Sequence, residues 1–190
     1  MTPVVTQNGS SLQVIIPKNV CKTSGIEAGD ELYISSDKGQ ITLSKSKVYN
    51  FYTIGYEGRT VENFISKLKS KGITQLVDVR EKPISRKKGF SKNQLKQYLD
   101  DIDIKYIHMP ELGSPSEIRS EYKEGGSELS FFRKYAEHVE RNEMDQVKLL
   151  EEYISIEPTA IMCFEELYCH CHRKVLAKII ESMGHGATHI

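Results

Sequence analysis

The residues of this chain that can do chemistry crowd into four short stretches. They are Thr53-Ile54-Gly55-Tyr56-Glu57-Gly58-Arg59; Asp78-Val79-Arg80 with Pro83-Ile84-Ser85-Arg86 and Gly89-Phe90-Ser91; His108-Met109-Pro110-Glu111-Leu112-Gly113; and Cys163-Phe164-Glu165 with Cys171-His172-Arg173. Glu165 follows a short apolar run, where burial raises a carboxyl pKa and suits it to general acid or base work. Its structural alternative is an ion pair with Arg173 or Arg80. Cys171 opens the last expected helix, whose N-terminus stabilises a thiolate, and His172 stands beside it. Glu165, Cys171 and His172 are therefore the candidate catalytic set, with Cys171 as nucleophile or orienting group.

Arg80 and Arg86 flank a rigid Pro83 turn and fit a bidentate clamp for phosphate or carboxylate. Salt bridges to Asp78, Glu81 or Glu111 would occupy them instead. Arg173 either joins them in binding substrate or turns inward to orient Glu165. Gly55 and Gly58 let backbone approach a ligand, and Tyr56 either stacks on a base, lends its hydroxyl or fills core. Cys163, at a strand end, is read as a reactive thiol or a small buried apolar residue. Cys169 and His170 read as surface loop. The Cys-His-Cys-His run from 169 to 172 is rich in metal-ligand types, but neighbouring side chains diverge. Zinc usually takes pairs at C-x₂₋₄-C spacing from two separate places. No metal is therefore expected, and no cofactor, because no Walker, dinucleotide or two-metal carboxylate motif is present.

Such residues need a scaffold to gather them. Past residue 50, apolar runs at 51–56, 75–79, 104–109 and 160–164 read as strands. Helical spacing appears at 61–72 (Val61, Phe64, Ile65, Leu68), 91–99, 128–140 and 171–183, with a last strand at 187–190. Ser91 is placed to cap its helix. Alternating strands and helices imply a mainly parallel sheet covered on both faces, a Rossmann-like α/β sandwich. All four chemical stretches then fall at the C-terminal strand ends, where open α/β sheets bind ligands.

The first 47 residues differ in character. Short β runs at 4–6, 12–16, 31–35 and 40–44 are separated by turn signals at Asn8-Gly9, Ala28-Gly29-Asp30 and Asp37-Lys38-Gly39, with one helical turn at 18–24. A block this small has little core of its own and needs a partner chain. Lys45-Ser46-Lys47 reads as a linker, giving domains at 1–47 and 51–190.

Two resemblances follow from these motifs. Residues 9–18 (G-S-S-L-Q-V-I-I-P-K) and 25–32 (G-I-E-A-G-D-E-L) resemble the AbrB/MazE/SpoVT family, in which two chains exchange hairpins into one DNA-binding barrel. The resemblance implies a homodimer or higher oligomer, with Lys18 and Lys22 meeting phosphates, or else a dimerisation module that no longer touches DNA. Residues 52–190, with T-I-G-Y, L-V-D-V-R-x-x-P-x-S-R, C-x-E…C-H-R and a terminal H-I, resemble the family catalogued as domain-of-unknown-function family 488. That resemblance implies a Rossmann-like fold and a suspected active site without an established reaction. The D-V-R-E-K-P string is also similar to rhodanese sequences, but no C-x₅-R cradle follows a strand.

Composition adds little discrimination. The 26 Lys and Arg balance 26 Asp and Glu, so no global field argues for or against nucleic acid. Locally, Lys82, Arg86, Lys87, Lys88, Lys92 and Lys96 form a basic run without an acid. Cys169 and Cys171 sit too close for an easy mutual disulfide. With no signal peptide before Pro3 and no membrane span, the expectation is a cytoplasmic protein with reduced thiols. The reading is a DNA-binding protein whose α/β domain processes nucleic acid or a nucleotide by hydrolysis or lyase chemistry. Its rival is an AbrB-type transcription regulator whose α/β domain senses a small anion or redox state.

Overall fold

The computed structural model describes residues 4–37, 39–44 and 50–190; the linker expected at 45–47 lies outside them. The chain divides into two compact units, 1–47 and 48–190.

In the first unit, β1 (Val5–Asn8) and β2 (Ser11–Val14) form one antiparallel hairpin, and β3 (Tyr33–Asp37) and β4 (Gln40–Ser44) form another, with α1 (Lys18–Thr23) between. Gly9 and Gly29 take left-handed φ values of +62° and +99°, which other residues resist. Each hairpin pairs only within itself, so the single chain closes no barrel among the described residues. Val5, Leu12, Ile15, Ile34 and Ile41 stand exposed, and α1 buries nothing. Apolar strands in a domain of this size stay in water at a cost of roughly 1.5–3 kcal/mol per large side chain.

The second unit is an α/β sandwich. Its strands are β5 (Asn50–Gly55), β6 (Gln75–Asp78), β7 (Lys105–His108), β8 (Thr159–Cys163) and β9 (Gly186–His189). They lie in the order β7-β6-β8-β5-β9, every pair parallel. Side chains alternate between the two faces, as the strand period requires. Ile54, Leu76, Ala160 and Met162 pack under α2 (Val61–Ser70) and α3 (Lys92–Asp100). Phe51, Val77, Ile161 and Cys163 pack on the other face under α5 (Glu128–His138), α6 (Met144–Ile156) and α7 (Arg173–Ser182). Thr60 caps α2 by accepting from the Asn63 amide at 3.2 Å, and Val61, Phe64 and Leu68 form its buried stripe.

Some elements differ from the sequence expectation. The helix expected over 128–140 runs on through a π turn, Val139–Glu143, into α6, and a further helix, α4 (Ser116–Lys123), precedes it. Ser91 occupies the N-cap of α3 without capping it; its hydroxyl bonds Ser85 instead, at 3.1 Å in both directions. Cys171 does not open α7: it stands two residues before it, at the end of a 3₁₀ turn, Tyr168–His170.

The strand order fixes where a ligand can bind. From β6 the chain leaves toward β7, on one side; from the adjacent β8 it leaves toward β9, on the other. The diverging connections open a crevice between the C-terminal ends of β6 and β8, and open α/β sheets bind ligands at such a switch point.

Candidate functional site

Asp78 and Arg80 stand at the end of β6, and Cys163 and Glu165 at the end of β8. Between them lies a cleft of about 660 Å³, lined among others by Tyr56, Arg80, Arg86, Cys163, Glu165 and His172.

On the β6 side everything is paired. The buried Arg80 donates through Nε and Nη2 to both carboxylate oxygens of Asp78, at 2.6–3.1 Å, and through Nη1 to the Tyr56 hydroxyl at 3.0 Å and the Phe90 carbonyl at 2.9 Å. Tyr106 adds a hydroxyl donation to Asp78 at 2.6 Å. Burial works against the Arg80 charge, but Asp78 outweighs it and the guanidinium pKa is raised. Tyr106, desolvated beside Asp78, is held above its ordinary range. Arg80 is thus a buttress, its guanidinium given to Asp78, and of the clamp expected from Arg80 and Arg86 only Arg86 stays exposed. Tyr56 is likewise committed. Its ring stacks on Phe90 with centroids 4.4 Å apart and meets Phe164 edge-on at 5.3 Å.

The glycine of T-I-G-Y has a similar explanation. A Cβ on Gly55 would lie 1.8 Å from the Glu165 carbonyl oxygen. Gly55 therefore makes room for the chain that carries Glu165, whereas the sequence pointed to a ligand there. The amides of Tyr56 and Glu57 both donate to the Phe164 carbonyl, at 3.1 and 2.9 Å, which fixes that loop over the sheet edge.

On the β8 side, donor atoms face one another. The sulfurs of Cys163 and Cys171, an oxygen of Glu165 and a nitrogen of His172 all lie within 4.8 Å of each other. Cys163 Sγ is 3.3 Å from Glu165 Oε2 and 3.7 Å from His172 Nδ1, and Cys171 Sγ is 3.8 Å from that same nitrogen. His172 Nε2 lies 3.1 Å from the Val79 carbonyl, which accepts only a proton-bearing nitrogen. In neutral imidazole this leaves Nδ1 as a lone pair aimed at both sulfurs. Cys171 and His172 are sequence neighbours, yet they do not diverge as expected. The extended Cys171 (φ −112°, ψ 148°) is followed by a helical His172 (φ −57°, ψ −21°), and this bend turns both donors inward.

Arg173 is fully buried. Its Nε donates to Cys171 Sγ at 3.2 Å, and its Nη2 donates to the backbone carbonyl of Glu165. It therefore orients Glu165 through the main chain rather than by an ion pair with the carboxylate. Burial raises the Cys171 thiol, but Cys163, His172 and Arg173 together bring it well below its ordinary value. The hydrogen bond from Cys163 to Cys171, and then burial, push Cys163 well up. Burial and the neighbouring Cys171 raise Glu165. For His172, burial lowers the pKa, but Cys171 and Glu165 outweigh it and the net shift is upward. A Cys171 thiol shifted down beside a Cys163 thiol and a Glu165 carboxyl shifted up sets a more acidic sulfur next to two weaker acids. The downward pull on Cys171 comes from Cys163, His172 and Arg173, since Cys171 precedes the helix it was expected to begin.

Cations rim the cleft: Lys82, Arg86, Lys87, Arg119 and Lys123. Arg119 is tied to Glu81, which also accepts from Ser116 at 2.8 Å, and Lys87 Nζ donates to the Tyr56 carbonyl at 3.1 Å. The exposed side chains of Arg86 and Lys123 make no hydrogen bond or ion pair among the described residues. The rim continues into a second groove lined by Arg86, Lys87, Lys88 and Lys92.

Sequence reasoning left out several of these residues. Cys163 is one of them; its place at the end of β8, two residues before Glu165, is the signal that marks it. Asp78 precedes Arg80 by two, and an acid at that spacing on a strand end can reach the arginine. Arg119 and Lys123 lie in α4, for which no motif argues. Among the other residues singled out, His108 bonds the Arg80 carbonyl through Nε2 at 2.9 Å, and His170 pairs with Glu128 on the surface at 2.6 Å. His189 lies beside Thr53, 2.8 Å from its hydroxyl, and stacks on Tyr168.

Comparison with known families assigns both parts of the chain. Residues 60–180 match the family model described as "Domain of unknown function DUF488", and residues 5–50 match "Antidote-toxin recognition MazE, bacterial antitoxin". No curated protein and no solved structure matches.

Proposed function

The chain belongs to the DUF488 family and carries a MazE-like unit ahead of that domain, and from this footing we propose that it is a DNA-binding cytoplasmic homodimer whose α/β unit processes a phosphate-bearing ligand, a nucleic-acid strand or nucleotide. The MazE-like similarity supports a DNA-binding or antitoxin-type regulator. The exposed apolar strands of the first unit support a partner chain, because a second copy would cover Leu12, Ile15 and Ile34. Lys18 and Lys22, on α1, are the phosphate contacts of that unit.

One observation carries the reading for the α/β unit: a cationic rim surrounds a floor of thiol, imidazole and carboxyl. Once Arg80 is assigned to Asp78 and Arg119 to Glu81, Lys82, Arg86, Lys87 and Lys123 remain in the cleft against Glu165 alone. Four cations to one acid favour a phosphate-rich ligand. Beneath them, Glu165 with its raised pKa serves as general acid and Cys171 or His172 as nucleophile or base, in hydrolysis or lyase chemistry.

The test is turnover of 5′-phosphorylated oligonucleotides by the full chain. Glu165→Gln is expected to cut the rate by about 10²-fold or more while leaving binding within about twofold. Tight binding with no turnover in the wild type would shift the reading to a ligand-sensing regulator.

A further inference from the structure

We infer that Cys163, Glu165, Cys171 and His172 form a four-ligand site for a zinc-type divalent cation, at the floor of the cleft. The set holds two sulfurs, one imidazole nitrogen and one carboxylate oxygen, the donor types zinc takes. Zinc binds sulfur at ~2.3 Å and nitrogen or oxygen at ~2.0–2.2 Å, so its tetrahedral ligands stand roughly 3.3–3.8 Å apart. The separations found are 3.3 Å for Cys163 and Glu165, 3.7 Å for Cys163 and His172, and 3.8 Å for Cys171 and His172. No pair in the cluster exceeds 4.8 Å. An ion can therefore be seated by sub-ångström movements of side chains.

The surroundings meet the other requirements of a metal centre. A ligating histidine is normally oriented by a hydrogen bond from its second nitrogen, and His172 Nε2 has the Val79 carbonyl at 3.1 Å. The charges also close. A divalent cation with two thiolates and one carboxylate carries a net charge of −1, and the buried Arg173, 3.2 Å from Cys171 Sγ, supplies +1. Cys163, Glu165 and His172 line the cleft, which gives the ion a route in from solvent, while Cys171 closes the site from beneath. On binding, any protons held by the two sulfurs, the Glu165 carboxyl and His172 Nδ1 pass to water, and the imidazole keeps the proton on Nε2. No electron changes hands.

The site would give the cleft a Lewis acid next to its cationic rim; with the ion bound, Glu165, Cys171 and His172 serve as its ligands, and the acid, nucleophile and base roles proposed above belong to the metal-free site. Metal content is measured without nucleic acid, so the cation and the phosphate-bearing ligand stand or fall separately.

The experiment is elemental analysis of the full chain, purified under reducing conditions, saturated with zinc and passed through a desalting column. About one zinc ion per chain is expected. Cys163→Ser and Cys171→Ser should each lose most of it, and Glu165→Gln should weaken zinc roughly 10-fold or more in competition with a chelating dye. Because a cysteine variant can also lose its fold, the wild-type protein is loaded with cobalt(II) in parallel. Tetrahedral ligand-field bands with thiolate charge transfer are the expected spectrum. A wild-type chain that retains no zinc, cobalt bands without sulfur charge transfer, full zinc in both serine variants, or a Cys163–Cys171 disulfide that persists under reductant in place of bound ion would overturn the assignment.

Discussion

At the end of β6 a buried guanidinium meets a carboxylate, a phenol and a carbonyl, whereas at the end of β8 two sulfurs, an imidazole and a carboxyl face mostly one another. The two strands are neighbours, and their ends are equally close to the cleft. What separates them is polar satisfaction. Arg80 has a fixed acceptor for each of its three nitrogens, so it holds geometry and offers little to a ligand. Cys163, Cys171 and His172 have weak, shared partners, the condition of groups whose strong partner is something bound. A strained or incomplete network at a sheet edge is where function is expected to concentrate.

The largest effect expected from breaking this comparison comes from Asp78→Ala. It leaves Arg80 buried without its counter-charge and should cost roughly 3–5 kcal/mol of stability in urea unfolding. Equal tolerance of Asp78→Ala and a mutation at Cys171 would show that the two ends are not different in kind. Gly55→Ala should come next, at about 1–3 kcal/mol, because the new methyl meets the Glu165 carbonyl and the carrier loop must move. Its signature is combined: lower stability together with altered thiol reactivity at Cys163. Tyr106→Phe removes a single hydrogen bond to an ionised acceptor and should cost about 1.5–3 kcal/mol. It should leave ligand affinity unchanged, which sharpens the claim that the β6 end supports and does not bind.

Much of this architecture was legible in the sequence. The apolar runs at 51–56 and before Cys163 marked strands, and parallel strands must bring their C-terminal ends together. Two things were not legible. One was the partner of each charge: Arg80 had Asp78, Glu81 and Glu111 as candidate partners, and the spacing of two that allows Asp78 does not by itself exclude the others. The other was the local bend at Cys171–His172, because a rule about adjacent side chains assumes regular backbone and a 3₁₀ exit is not regular. α6 was missed although Val147, Leu150 and Ile154 stand at helical spacing, whereas α4 buries none of its residues and left no apolar pattern to read.

Surface cations on the rim should matter least to folding and most to binding. Arg86→Ala with Lys123→Ala is expected to change stability by no more than about 0.5 kcal/mol. The most direct measurement is the salt dependence of affinity for a 5′-phosphorylated single strand, comparing the full chain with this double variant by fluorescence anisotropy. Each lost phosphate contact lowers the slope of log affinity against log salt by about 0.7. The double variant should bind more weakly at low salt, with a slope smaller by about 1.4. An unchanged slope and affinity would place the phosphates elsewhere and contradict the assignment of the cleft as their binding site.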